Sequence, residues 1–252
     1  MSQPNGIPAL PAAHRCKPGG IALPENLLAP YHCPLCGDTG FIEIDRFNVR
    51  LCRCHSIRTA LGDLRRLGLL HSAQQMRLDT FRAEAPWQQK LLGCVREYLA
   101  QENPTWLFIG GQSGCGKTHL CTAAAVSLLF RGWNVCYMRW MNDSARLKSL
   151  ALDAQRASML DHFIDAPLLY IDDLFKSQPT EADRHIAFEI LGARYSDPGK
   201  ITIISSERTI EEITHIDEAV GGRIFERCTA AYQLNVSRNP ERNYRFRPTE
   251  MI

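Results

Sequence analysis

The chain reads as an α/β protein: a five-stranded parallel sheet covered by helices, preceded by a small zinc-ribbon-like module. Three observations predict this. Short apolar runs alternate with helical periodicities between residues 106 and 236, as a parallel sheet with covered faces requires. One such run, Trp-Leu-Phe-Ile at 106–109, enters Gly111-x-x-x-x-Gly116-Lys117-Thr118 and then a helical stretch at 117–130, the strand, loop and helix order of a phosphate-binding loop. Four cysteines, Cys33, Cys36, Cys52 and Cys54, crowd one short segment.

Composition is that of an ordinary globular protein, with 252 residues, 45% hydrophobic and 22% charged. The net charge of +2 does not by itself announce a nucleic-acid binder. The start is polar and Pro-rich, unlike a secretory signal, and the apolar run at 120–130 is too short to span a membrane. Ten cysteines, four clustered and one inside the phosphate loop, do not resemble a secreted disulfide framework; a reducing, cytoplasmic location is expected. Four regions follow: a Pro-rich leader at 1–30 with a short helix near 24–28, a zinc-binding module at 31–56, a basic helical linker at 57–85, and the nucleotide-binding domain at 86–252.

Cys33-x₂-Cys36, fifteen residues, then Cys52-x-Cys54 is close to zinc-ribbon spacing. The second knuckle is one residue tighter than usual, so His32 or His55 is an alternative fourth ligand. Residues 41–44 alternate and predict a strand pairing with 49–51. Leu61, Leu64, Leu67, Leu69 and Leu70 form a helical stripe, and the arginines around them read as a solvated face or a nucleic-acid contact. Residues 86–101 place Trp87, Leu91, Leu92, Val95, Tyr98 and Leu99 on one helical face. After the phosphate loop, 134–139 reads as a strand, 144–163 as a long helix, and 168–172 as a strand ending in Asp172-Asp173. Thr180 with Asp183 opens a helix to 195. Residues 201–206 form the fourth strand, Thr209 with Glu212 caps a short helix, 217–228 is helical, and 232–236 is the fifth strand.

The chemistry follows from residue types. Backbone N–H groups of Gly111, Gln112, Ser113, Gly114, Cys115 and Gly116 would wrap phosphate, Lys117 would reach the β- and γ-phosphates, and Thr118 would ligate Mg²⁺. Asp172, ending a buried strand, is the expected second Mg²⁺ group, and Asp173 the carboxylate that polarises water. Ser205-Ser206-Glu207, closing the fourth strand, supplies a polar group for γ-phosphate or water, with Ser206 taken as the catalytic candidate. Arg223 and Arg227 lie on one helical face and could reach a neighbouring subunit's nucleotide or simply pair with Glu226 or Glu218. Arg242, Arg245 and Arg247 offer a cis arginine or a solvated basic tail.

Residues 111–118, Leu-Leu-Tyr-Ile-Asp-Asp-Leu-Phe at 168–175, Ile-Ile-Ser-Ser-Glu at 203–207, 222–227 and Asn243-Tyr-Arg245 together resemble the AAA+ helicase loaders of the DnaC/DnaI type, phage and prophage versions above all, with IstB-like transposition ATPases as cousins. The likeness covers residues 75–250, and the Cys33–Cys54 segment is similar to the zinc-bearing part of DnaI-like members. It implies an ATPase that uses ATP and Mg²⁺, shares its site between subunits of a homo-oligomer, contacts single-stranded DNA and grips a replicative DNA helicase through its N-terminal region. By position it implies Arg223 or Arg227 as the trans finger and Arg245 as the second sensor. Many AAA+ proteins carry Asn where this chain has Ser-Ser-Glu, which implies slow hydrolysis. Alternatives are a transposition helper acting on duplex DNA, a nucleotide kinase, or a zinc-ribbon interaction module with an inactive nucleotide domain.

Overall fold

A computed structural model describes residues 23–46, 48–150 and 154–246. Most of the Pro-rich leader, the middle of 144–163 and Arg247 therefore lie outside the described residues. The helix expected near 24–28 does not form. Instead the Asn26 side chain accepts from the N–H groups of Leu28 (2.9 Å) and Ala29 (3.2 Å), a local turn that competes with a helix.

The N-terminal module is a hairpin of β1 (Phe41–Glu43) and β2 (Val49–Leu51), antiparallel with Phe41 opposite Leu51. Helix α1 (Cys54–Arg66) starts at the last cysteine and ends before Gly68, whose φ of 67° only glycine adopts freely. A short α2 (Leu70–Gln75) follows. This stretch, expected as a linker, is packed into the main core: Ile57, Leu61, Leu64, Leu69 and Ala73 share one apolar cluster with Val95, Leu107 and Leu120.

Helix α3 (Pro86–Ala100) leads to β3 (Leu107–Gly111), the phosphate loop and α4 (Lys117–Leu129). Then come β4 (Val135–Arg139), α5 (Trp140–Ser149), α6 (Ala154–Asp165), β5 (Leu168–Asp172), α7 (Glu181–Tyr195), β6 (Ile201–Ser206), α8 (Ile210–Ile216), α9 (Glu218–Arg227) and β7 (Gln233–Val236). The long helix expected at 144–163 is thus two helices. Asp143 caps the Arg139 N–H at 2.7 Å, which starts α5 early, and Leu150 turns extended at φ −74°, ψ 121°.

The sheet runs β4-β5-β6-β3-β7, with every pairing parallel. Strand alternation splits the core in two. Leu107, Ile109, Leu168, Tyr170, Ile201 and Ile203 face α1, α3 and α4. Trp106, Phe108, Leu169, Ile171 and Ile204 face α5, α6, α7 and α9. Arg194 lies fully buried on the second side, where burial lowers its pKa to about 10. Its guanidinium donates to the carbonyls of Phe163, Ile164, Ala166 and Ile201 and to Thr202 Oγ1, closing the end of α6 onto β6.

Candidate nucleotide site

The carboxyl ends of β3, β5 and β6 converge on the phosphate loop, the place where parallel sheets present ligands. Gly116 (φ 95°) hands the chain into α4, whose first-turn N–H groups face the loop. A Cβ on Gly114 (φ 72°) would stand 1.9 Å from Asn243 Oδ1, so only glycine lets the C-terminal segment cross there. Lys117 is 6% exposed, and its ammonium donates to Gly111 O (3.0 Å) and Gln112 O (2.7 Å). Among the described residues it ion-pairs with no carboxylate. A buried ammonium held only by carbonyls fits a phosphate-binding group.

Opposite it, Thr118 Oγ1 donates to Asp172 Oδ1 at 3.1 Å, joining the two expected magnesium groups. Asp172 is surrounded by hydroxyls: Ser205 Oγ (2.6 Å) and Tyr170 OH (3.0 Å) donate to Oδ1, and Tyr137 OH (3.2 Å) donates to Oδ2. Burial and then nearby negative charge push both tyrosines up, Asp172 being among the charges in each case, so the phenols stay protonated donors. Asp173 sits at φ 61°, its N–H donating to Ser205 Oγ (2.9 Å), and Lys176 Nζ meets its Oδ2 at 2.6 Å. Ser205 therefore bridges the two aspartates. Ser206 faces the other way, donating to Leu174 O (2.6 Å) and accepting from Arg208 N–H (3.1 Å), so of the two serines Ser205 is the one that reaches the acidic pair. The choice was readable: Ser205 shares the β6 face of Ile201 and Ile203, the face that packs on α4.

A cleft of about 200 Å³ joins Ser113, Gly114, Gly116, Lys117, Thr118, Asp173, Glu207 and Arg245, and adds Lys176 and His119, which sequence reasoning missed. Ser113 Oγ donates to Glu207 Oε1 at 3.0 Å. The C-terminal segment seals one side. Tyr244 N–H donates to Gly114 O (3.0 Å), Tyr244 OH donates to Arg82 O (3.1 Å) and meets the Gln88 side chain, and Asn239 N–H donates to Gln112 Oε1 (3.1 Å). His119 donates to Arg77 O at 2.6 Å, and burial lowers its pKa, which keeps it neutral. Cys115 is fully buried behind the loop.

Arg223 and Arg227 lie outside this cleft. Arg223 is half-buried on α9, its guanidinium stacked over the Phe188 ring at 4.6 Å. Arg227 lies at the far end of the sheet, where its Nη2 donates to the carbonyls of Asp197 (3.2 Å), Pro198 (3.3 Å) and Lys200 (3.4 Å). In the N-terminal module the four cysteine sulfurs lie within 4.8 Å of one another, with Cys33–Cys52 at 3.6 Å and Cys36–Cys54 at 3.5 Å. Such spacing suits the edges of a tetrahedral zinc site with Zn–S of ~2.3 Å. His32 instead bonds Asp38 at 2.9 Å. Among the described residues no helix is long and apolar enough to cross a membrane.

Residues 63–245 match the family model described as IstB-like ATP binding protein. The phage-like element PBSX protein XkdC of Bacillus subtilis (strain 168) is 32% identical over 240 residues, covering 84% of this chain and 88% of that protein. Among solved structures, the DnaC helicase loader superposes with a TM-score of 0.54 at 22% identity, over 66% of this chain and 97% of that one. The AMPPCP-bound DnaA of Aquifex aeolicus gives 0.53 at 21% identity, over 65% of this chain but only 50% of DnaA. With the phosphate loop, the acidic strand end and the five-stranded parallel sheet in their expected places, the chain belongs to the IstB-like ATP-binding protein family.

Proposed function

We propose that the chain is an ATPase that loads a replicative helicase onto single-stranded DNA. The observation that carries this is the Thr118–Asp172–Ser205–Asp173 network facing the Lys117 loop, in a fold shared with the DnaC helicase loader. Lys117 and the loop N–H groups bind the triphosphate, with Arg245 at the same cleft. Thr118 and Asp172 would hold Mg²⁺, whose charge lets two carboxylates face phosphate. Asp173 orients a water and takes its proton while the water oxygen bonds the γ-phosphorus. The bond from that phosphorus to the β–γ bridging oxygen breaks, leaving ADP and phosphate. Arg223, half-buried against Phe188 and outside its own cleft, would serve the site of an adjoining copy, so that a homo-oligomer would complete the enzyme. The four cysteines would bind one structural zinc, which supplies folding energy to the module that meets the helicase.

The family match favours a second reading, a transposition helper acting on duplex DNA. ATPase assays with single-stranded and duplex DNA, beside co-purification with a replicative helicase, separate the two. A loader is stimulated by single strands and retains the helicase. Stimulation by duplex alone without helicase capture selects the transposition reading. ATP binding unchanged in Lys117→Ala would sink both.

A further inference from the structure

We propose that Lys176 is a nucleotide-reading residue: a terminal phosphate draws its ammonium away from Asp173, so that the cleft tells triphosphate from diphosphate. This deepens the ATPase reading above and rests on it. The turn carrying Lys176 is built unusually. Asp173 and Phe175 both adopt positive φ, 61° and 53°, a left-handed conformation unfavourable for a residue with a Cβ. Such strain persists only where the surroundings fix it. Here they do. Leu174 N–H donates to Ser205 O (2.9 Å), Phe175 is buried edge-on against Trp140 (5.4 Å), and Arg208 Nε donates to Phe175 O (2.9 Å). Beyond Lys176, Ser177 O accepts from Arg208 Nη2 (3.2 Å), so the backbone is pinned on both sides of Lys176, while its side chain is 42% exposed and lines the phosphate cleft.

Of the cations at that cleft, Lys117 is already held by two loop carbonyls. Lys176 has a single carboxylate partner, Asp173 at 2.6 Å, which holds its pKa above the usual lysine value. A terminal phosphate carries more charge than that carboxylate and offers three acceptor oxygens, so it competes for the same ammonium. The transfer also leaves Asp173 without its cation, as a water-orienting carboxylate needs.

The test is calorimetric titration of Mg-ATP and Mg-ADP into the full chain and into Lys176→Met and Lys176→Arg. The parent is expected to prefer ATP. Lys176→Met is expected to lose ~10-fold in ATP affinity, the size of one charge-assisted hydrogen bond, with ADP affinity unchanged. Lys176→Arg restores the preference. Thermal melting of each variant checks the fold, and the exposure of the side chain predicts parental values. If Lys176→Met keeps the parental ATP-to-ADP ratio, the inference is wrong even should turnover change, because Lys176 would then act only on Asp173. A parent binding neither nucleotide overturns the ATPase reading itself, a distinct result.

Discussion

Ser205→Ala and Ser206→Ala separate a shared structural cost from a site-specific one. Each serine is fully buried and makes two hydrogen bonds through its hydroxyl. Ser205 gives one bond to an aspartate and takes one from an N–H. At about 1.5–3 kcal/mol for a charged partner and about 1 for a neutral one, its loss costs about 3 kcal/mol. Ser206 has two neutral partners and its loss costs about 2 kcal/mol. Denaturant unfolding will hardly distinguish them. Magnesium will. Removing a hydrogen bond to a metal-holding carboxylate weakens metal binding by ~10–100-fold, and only Ser205 touches Asp172. Titrating Mg²⁺ into saturating ATP, with turnover as readout, should shift the half-point by at least tenfold in Ser205→Ala and less than twofold in Ser206→Ala. Equal shifts, or a larger one in Ser206→Ala, would refute the assignment of Ser205 as the residue joining the acidic pair.

Arg223→Ala is expected to keep its melting temperature and ATP affinity while losing ~10³-fold in turnover, as finger arginines do elsewhere; parental turnover removes Arg223 from the shared site. Arg227→Ala should instead lose about 1–2 kcal/mol in denaturant unfolding, since its guanidinium holds the 197–200 turn. Gly114→Ala places a methyl where Asn243 Oδ1 sits and should weaken ATP binding, measured by titration, without unfolding the sheet. Metal analysis should find about one zinc per chain, and Cys52→Ser should lose it while leaving ATP binding intact; zinc-free parent with a folded hairpin would exclude the metal.

Much of the architecture was legible because its signals are local. The Gly111–Thr118 spacing, the apolar runs and the Thr180 and Thr209 capping boxes each need only a few neighbouring residues, and all appear as expected. What escaped depends on distant partners. Tyr137 reaches Asp172 only because β4 pairs with β5 in the register that sets Arg139 opposite Asp172. Lys176 joins the cleft through two positive-φ residues that no propensity would assign to Asp and Phe. The basic stretch at 57–85 reads as linker because its arginines dominate the sequence, yet its leucines fill the same core as α3 and α4. Arg227 shows the opposite limit of local signals. Its spacing from Arg223 suggests a shared task, but one turn further along α9 it meets the carbonyls of the 197–200 turn, partners that no spacing reveals.

The C-terminal segment that crosses the phosphate loop gives the molecule a drive linkage. Tyr244 holds Gly114 on one side and Arg82 on the other, while His119, on the first turn of α4, holds Arg77. Hydrogen bonds thus tie the loop directly to residues 77–88. Those residues adjoin α2, and α2 shares a packed core with α1, which begins at Cys54. Packed cores transmit displacement stiffly. Phosphate loop and cysteine module are thus joined along one side of the sheet by a continuous run of hydrogen bonds and packed side chains.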